Sequence, residues 1–136
     1  MAVVHVAVGV VLDEQCNILI SRRGSQAHQG GLWEFPGGKV EPGESVVRAL
    51  ARELREELGI GFAASQPLLI VPFNYGDKAV LLDVHIVTGL TGLARGLEGQ
   101  PLCWVTAEEL ARYEFPAANA PIVAAVRQRL AAVQGA

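Results

Sequence analysis

The sequence predicts an α/β sandwich, with a mixed sheet held between helices (α/β/α). Three observations carry that expectation. A β-branched apolar run from Val3 to Leu12 has the composition of a central strand. A stretch ending at Ile60 has apolar residues at helical spacing and carboxylates beside them. Strands and two or three helices then alternate irregularly along a chain of 136 residues, a length that suits one domain spanning 1–136.

The elements follow in order. Val3 to Leu12, interrupted by His5 and Gly9, reads as the first strand. Asp13, Glu14, Gln15 and Asn17 make a turn into a second strand, Ile18 to Arg22, so that the two form a hairpin. Residues 24–31 are a polar loop, and Leu32 to Phe35 is a short strand feeding a glycine-rich loop. The helix that follows carries Val47, Leu50, Leu54 and Leu58 on its apolar stripe and stops at Gly59, a C-cap glycine. Gly61 to Pro67 reads as a connector. Leu68 to Tyr75 and Lys78 to Thr88 flank a Gly76-Asp77 turn, the pattern of a hairpin. Residues 88–100, with Gly89, Gly92, Gly96 and Gly99, make a long loop holding Glu98. Leu102 to Val105 is a strand. Thr106 opens a small helix with Glu109 three residues on, a capping-box spacing. Asn119 precedes a last helix whose apolar side is Ile122, Val123, Val126, Leu130 and Val133.

Composition limits the function classes. Apolar residues make up 51% of the chain and charged residues 18%, which supports a substantial core and argues against extended disorder. The net charge of −3 offers no basic footprint for a nucleic-acid polymer. Cys16 and Cys103 are far apart and lack metal-ligand spacing, so reduced thiols in a cytoplasmic protein are expected. The N-terminus has no basic region of a signal peptide, and no apolar run reaches transmembrane length. A cytoplasmic monomer without a membrane partner is the expectation.

Chemistry concentrates between Gly38 and Ile60. On a helix, Glu53 lies one turn from both Glu56 and Glu57, so three carboxylates share one arc. Like charges that close repel, and a divalent cation relieves the repulsion; clustered carboxylates, carbonyls and waters suit Mg²⁺ or Mn²⁺. An acidic solvated face paired with Arg52 and Arg55 is the simpler alternative. The preceding loop weighs against it. Pro36, Gly37, Gly38, Pro42 and Gly43 crowd a short run ending in Glu44 near the positive helix end, and glycines let backbone approach a ligand.

The run GKVEPGESVVRALARELREELGI resembles the signature of the Nudix hydrolases at every fixed position: G, five residues, E, seven residues, then R-E-U-x-E-E-x-G-U with U aliphatic. Over nearly the whole chain the sequence is similar to the bacterial MutT branch of that family. The likeness rests on V-G-V-V near the start, Arg22-Arg23, Ala27-His28, W-E-F-P-G-G-K-V-E-P-G-E, E-G-Q-P at 98–101 and F-P-A-A-N-A-P at 115–121.

The resemblance implies the Nudix fold and hydrolysis of 8-oxo-dGTP, and more slowly dGTP, to the monophosphate and pyrophosphate. Such an activity clears oxidised guanine nucleotides from the pool. It implies Mg²⁺, with Mn²⁺ as a substitute, held by the Gly37 carbonyl, Glu53, Glu56, Glu57 and Glu98. Arg52 would orient the glutamates, although a plain i,i+4 pair with Glu56 is its simpler role. Arg23, His28, Phe35, Lys78 and Asn119 fall at nucleotide-binding positions. Arg23 could equally be a strand-end cation, Phe35 a core residue and His28 an ordinary loop histidine; His5 and His85 read as strand residues without chemistry. Tyr75 and Lys78 stand where the bacterial pattern has Phe and Arg. Asn119 would read the oxidised purine edge, and that role is compatible with capping the last helix. In the implied mechanism the cation neutralises the phosphates and acidifies the attacking water. Glu53 is the first choice of base, and Glu98 its rival because a loop residue can swing in. The alternatives are hydrolysis of other nucleotides such as cytidine triphosphates, a non-catalytic Nudix-fold binding module, and a structural protein whose acidic helix docks a partner.

Overall fold

The computed structural model describes residues 2–24 and 31–134, with backbone alone at 132–134. Seven strands and two helices follow in the order β1 (Val3–Val11), β2 (Ile18–Arg22), β3 (Trp33–Glu34), β4 (Gly37–Lys39), α1 (Val46–Leu58), β5 (Gly61–Asn74), β6 (Ala79–Thr91), β7 (Leu102–Val105) and α2 (Ala120–Gln134). Short 3₁₀ turns occupy Glu108–Arg112 and Ala117–Asn119. The strands form two sheets. One is four-stranded and mixed, in the order β4-β1-β6-β5, with β1 and β6 parallel; the other is antiparallel, in the order β3-β2-β7.

β1 is the spine because both of its edges are paired and both faces are covered. Side chains alternate across a strand. Val8 and Val10 therefore enter a core with Ile122, Val126 and Leu130 of α2, while Ala7 and Val11 enter a second core with Ala49, Leu50, Leu54 and Leu58 of α1. The α/β/α expectation holds in this form, with two sheets where one was expected.

Several boundaries differ, each for a physical reason. β1 and β2 are not a hairpin ladder; one bridge, Leu12 to Ile18, joins them. The Asp13 carboxylate accepts from the backbone N–H of Gln15 and Asn17 and from Asn17 Nδ2, and Cys16 adopts φ 62°. That tight turn sends β2 into the second sheet, since β4 and β6 already occupy the edges of β1. The glycine loop contains a strand, β4, paired with Val6 to Val8. The supposed connector at 61–67 is the first half of β5, laid against β6 up to Thr91. Glu44 is not the helix start: the Ser45 hydroxyl caps α1 by accepting from Arg48 N–H at 3.1 Å. Val47 is 44% exposed, and the buried stripe runs through Leu50, Leu54 and Leu58, with Ala49 beside it and Val46 partly buried one turn earlier. The small helix after Thr106 is a 3₁₀ turn, but its capping box forms, with Thr106 N–H on Glu109 Oε1 at 2.9 Å and Glu109 N–H on Thr106 Oγ1 at 3.2 Å. Gly59 ends α1 in the left-handed conformation at φ 70°.

Leu54 is fully buried between α1 and the sheet. Leu54→Ala should cost about 2–5 kcal/mol through lost transfer energy and the cavity left behind. Urea unfolding should show a lower midpoint at an unchanged slope.

Candidate active site

The helical spacing that buries Leu50, Leu54 and Leu58 sets Glu53 and Glu57 one position earlier, on the flank of the buried stripe. Glu56 falls on the outer side, with its side chain 58% exposed. Arg52 ties this flank to the chain before the helix. Its Nε and Nη2 donate to the two oxygens of Glu44, each at 2.9 Å, a bidentate pair. Nη2 also donates to the Lys39 carbonyl at 2.9 Å, Nη1 donates to Glu53 Oε1 at 2.8 Å, and Nη1 lies 3.6 Å from Glu56 Oε2. The Arg52 bonds hold the Glu44 carboxyl down at about 2, and both carboxylates push Arg52 further up.

The two glycines of β4 make this approach possible. A Cβ on Gly38 would overlap the Glu53 carboxylate, and one on Gly37, at φ 153°, would overlap the Ala7 carbonyl of β1. β4 is thus a bare ribbon, and β1 and Glu53 each press against one of its glycines.

Beyond Glu53, carboxylates gather without enough cations to balance them. Glu57 shares a hydrogen bond with Glu53 and is pushed up to about 8, first by burial, then by that bond and by the charges of Glu53, Glu98 and Glu34. Glu57, Glu98 and Glu34 line a cavity of about 340 Å³ with Arg22, Arg23 and Gln100. Burial raises Glu34, and Arg23 opposes the shift through a 2.7 Å hydrogen bond to Glu34 Oε1. Glu98 sits on a loop docked on the end of α1: Leu97 N–H and Gln100 Nε2 both donate to the Glu57 carbonyl, and Arg95 N–H donates to that of Leu58.

A second cavity of about 340 Å³ adjoins the first and shares Arg23 and Glu34 with it. Its other walls include Val6, Val8, Phe35, Tyr75, Lys78 and Asn119. Phe35 is 5% exposed and stacks on Phe115 with ring centres 5.1 Å apart. Asn119 ends the 3₁₀ turn before α2, and its N–H donates to the Pro116 carbonyl. Among the described residues its side-chain amide makes no hydrogen bond, so it is not spent on capping.

Of the sequence candidates, Glu57 and Glu98 share one cavity, Phe35, Lys78 and Asn119 share the other, and Arg23 belongs to both. Arg52 and Glu53 stand behind the first cavity, joined to it through Glu57. Glu56 is apart, and Gly37 lies on β4, paired edge to edge with Val8 of β1. His28 lies outside the described residues. Sequence reasoning missed Glu34 and Gln100. Both lay in quoted motifs, W-E-F-P and E-G-Q-P, but nothing local marked them. Among the described residues no three carboxylate, imidazole or thiol groups converge as a finished ion cage. The donor set nonetheless suits a hard divalent cation: crowded carboxylates, one of which holds a proton where a cation could replace it.

A NUDIX domain profile matches residues 7–125 of this chain. The chain belongs to the Nudix family. It is 35% identical over 128 residues to the 8-oxo-dGTP diphosphatase of Escherichia coli, covering 94% of this chain and 99% of that one. It is 36% identical over 118 residues to the CTP pyrophosphohydrolase of the same organism, covering 87% of this chain and 87% of that one. It is 34% identical over 121 residues to the 8-oxo-dGTP diphosphatase of Haemophilus influenzae, covering 89% of each. A solved MutT structure from work on Aliivibrio salmonicida and Vibrio cholerae superposes with a TM-score of 0.83 at 38% identity, covering 94% of this chain and 99% of that chain. The architecture is accordingly the Nudix fold, and no helix among the described residues is long and apolar enough to cross a membrane.

The raised Glu57 carboxyl has a consequence for stability. Between its ordinary 4.5 and about 8, the native state holds a proton that the unfolded chain has released. Stability of the metal-free protein should therefore fall as pH rises through that window. Glu57→Gln should flatten the slope, measured by urea unfolding in EDTA from pH 5 to 9; an equal slope in both proteins would assign the effect elsewhere.

Proposed function

We propose that the protein is a Mg²⁺-dependent nucleoside triphosphate pyrophosphohydrolase acting on 8-oxo-dGTP, and more slowly on dGTP, with Mn²⁺ as a substitute cation. The observation that carries this reading is the Asn119 amide, without a hydrogen bond among the described residues, in an aromatic-walled cavity continuous with a carboxylate-lined one. An amide offers an acceptor and two donors. It can accept from the N7–H of 8-oxoguanine while donating to O6, and ordinary guanine has no proton on N7. Phe35 and Tyr75 add aromatic surface to the wall beside Asn119, and Lys78 adds a cation to it.

Arg23 stands between the base and the acidic cavity, held by Glu34, where it can meet a phosphate. Glu53, Glu57, Glu98 and the Gly37 carbonyl are the proposed cation ligands, and Glu56 joins them only if its exposed side chain turns inward. When bound, the cation supplies charge neutralisation and a lower pKa for water. Hydrolysis also needs a proton acceptor. Glu98 lines the cavity and its carboxylate has no hydrogen-bond or ion-pair partner among the described residues, whereas Glu53 is engaged by Arg52 and Glu57. This supports Glu98 over Glu53 as the base, with Arg52 and Glu53 holding the helix flank in place. Pool clearance in the cytoplasm, by a monomer needing neither a nucleic-acid polymer nor a membrane, completes the reading. The signature glutamates are all present, which disfavours a binding-only module. Hydrolysis of CTP is the second reading, favoured by the CTP pyrophosphohydrolase relative.

A steady-state screen of 8-oxo-dGTP, dGTP and CTP with Mg²⁺ separates these readings. Wild type should prefer 8-oxo-dGTP in kcat/KM and release pyrophosphate; a preference for CTP would install the second reading. Asn119→Ala should collapse the ratio of 8-oxo-dGTP to dGTP while leaving dGTP turnover similar, since each purine group left unpaired costs roughly 1–3 kcal/mol. A ratio that survives would return Asn119 to a structural role. Glu98→Gln should lower kcat about 10²–10⁴-fold with little change in melting temperature, the range for loss of a general base. A larger kcat loss in Glu53→Gln than in Glu98→Gln would restore Glu53 as the base.

A further inference from the structure

We infer that Gln100 is a positioning residue that sets the Glu98 carboxylate opposite Glu57, and through that spacing sets cation affinity. The inference rests on the metal-dependent reading above and deepens it. Gln100 makes two bonds in opposite senses. Its Nε2 donates to the Glu57 carbonyl at 3.2 Å, across 43 residues of sequence, and its Oε1 accepts from the Glu98 N–H at 2.9 Å. One amide therefore clamps the backbone of two residues that both line the first cavity and whose carboxylates repel each other.

The surrounding turn leaves Glu98 little other support. Gly99 N–H donates to the Gly96 carbonyl at 2.9 Å, so Glu98 rides a corner of a tight turn, and Gly99 adopts φ 79°. A Cβ on Gly96 would overlap the Gln100 carbonyl, so the turn closes on Gln100 itself. The Glu57 carbonyl also accepts from Leu97 N–H at 3.0 Å. Removing the Gln100 side chain leaves that bond and the Arg95 bond to anchor the loop, while the Glu98 N–H loses its partner. The loop stays docked and its carboxylate loses its register. A carboxylate that must be ordered upon binding costs cation affinity, as loss of groups orienting metal ligands generally does.

The test is a double-mutant cycle on Gln100 and Glu98, read by Mn²⁺ binding to the nucleotide-free protein in calorimetry and by melting temperature in EDTA. Gln100→Ala should weaken Mn²⁺ about 10-fold, in the range for residues that orient metal ligands, with an unchanged metal-free melting temperature. In a Glu98→Ala background the same substitution should have no further effect on binding, because its target is gone. Additive losses, or an undiminished affinity in a folded Gln100→Ala protein, would overturn the inference. If Gln100→Ala fails to fold, Gln100→Glu serves, since it keeps an acceptor for the Glu98 N–H but loses the donor to the Glu57 carbonyl. Weakened Mn²⁺ binding in Gln100→Glu supports the clamp, and undiminished affinity overturns it. A wild type that binds no Mn²⁺ and hydrolyses no triphosphate removes the metal-dependent reading itself. A wild type that does both, beside an unaffected Gln100→Ala, removes only the clamp.

Discussion

The Arg52 guanidinium is the interaction on which the site's architecture depends. It reaches Glu44 with two bonds, the Lys39 carbonyl with one and Glu53 with another, so a single side chain joins the end of β4, the segment before α1 and the flank of α1 itself. No lysine could do this, because the bonds need a planar fork with several donors. The pairing fixes where β4 lies relative to the helix, and β4 can lie there only because Gly37 and Gly38 lack side chains. The ribbon, the arginine and the glutamate are one unit.

That unit neutralises one side of an acidic cluster and leaves the other side charged. Glu44 and Glu53 share the Arg52 charge, and Glu34 has Arg23. Glu57 and Glu98 face the cavity with no cation of their own among the described residues, and the protein answers by keeping Glu57 protonated well above the usual carboxylate range. Glu98 is exposed but Glu57 is half-buried, and burying an uncompensated carboxylate even in part is costly to the fold. Their concentration beside a cavity is therefore hard to explain as a stabilising device and simple to explain as one half of a cation and phosphate site.

Local chemistry explains what the sequence made legible. β2 and β7 run as expected, Gly59 caps α1, and the Thr106–Glu109 box forms, because each is decided by residues within a few positions. The acidic flank was legible because helical spacing assigns angles. The spacing did not say which angle faces the core, so Val47 and Glu56 turned out exposed while Ala49 went inside. β4 was hidden because Gly-Gly-Lys has no strand preference of its own and is extended only by pairing with β1. The first half of β5 was hidden for a similar reason, since β6 supplies its order. Gln100 was hidden because its partner, Glu57, lies far back in the chain. Family resemblance reached the Nudix assignment that the domain match and the relatives bear out, yet it gave no role to Glu34 or Gln100.

The two cavities meet at the Arg23–Glu34 pair, and this joint gives the proposed specificity a route to the chemistry. Arg23 lies on the continuation of β2 and Glu34 on β3, adjacent in the antiparallel sheet, so their 2.7 Å bond is held by paired backbone as well as by charge. Phe35 and Asn119 line the second cavity together with this pair, so a base bound there as proposed would meet the same wall. Its position would then fix how far a phosphate chain could extend past Arg23 toward Glu57 and Glu98. Misplacing reacting atoms by about 1 Å can cost about 10²-fold in rate. On the proposed reading, a purine that fails to meet Asn119 would therefore be penalised twice: it would bind less firmly, and it would present its phosphates out of register with the carboxylates. On the proposed reading, selectivity for the base and efficiency of hydrolysis would be coupled through this strand pair and its Arg23–Glu34 bond.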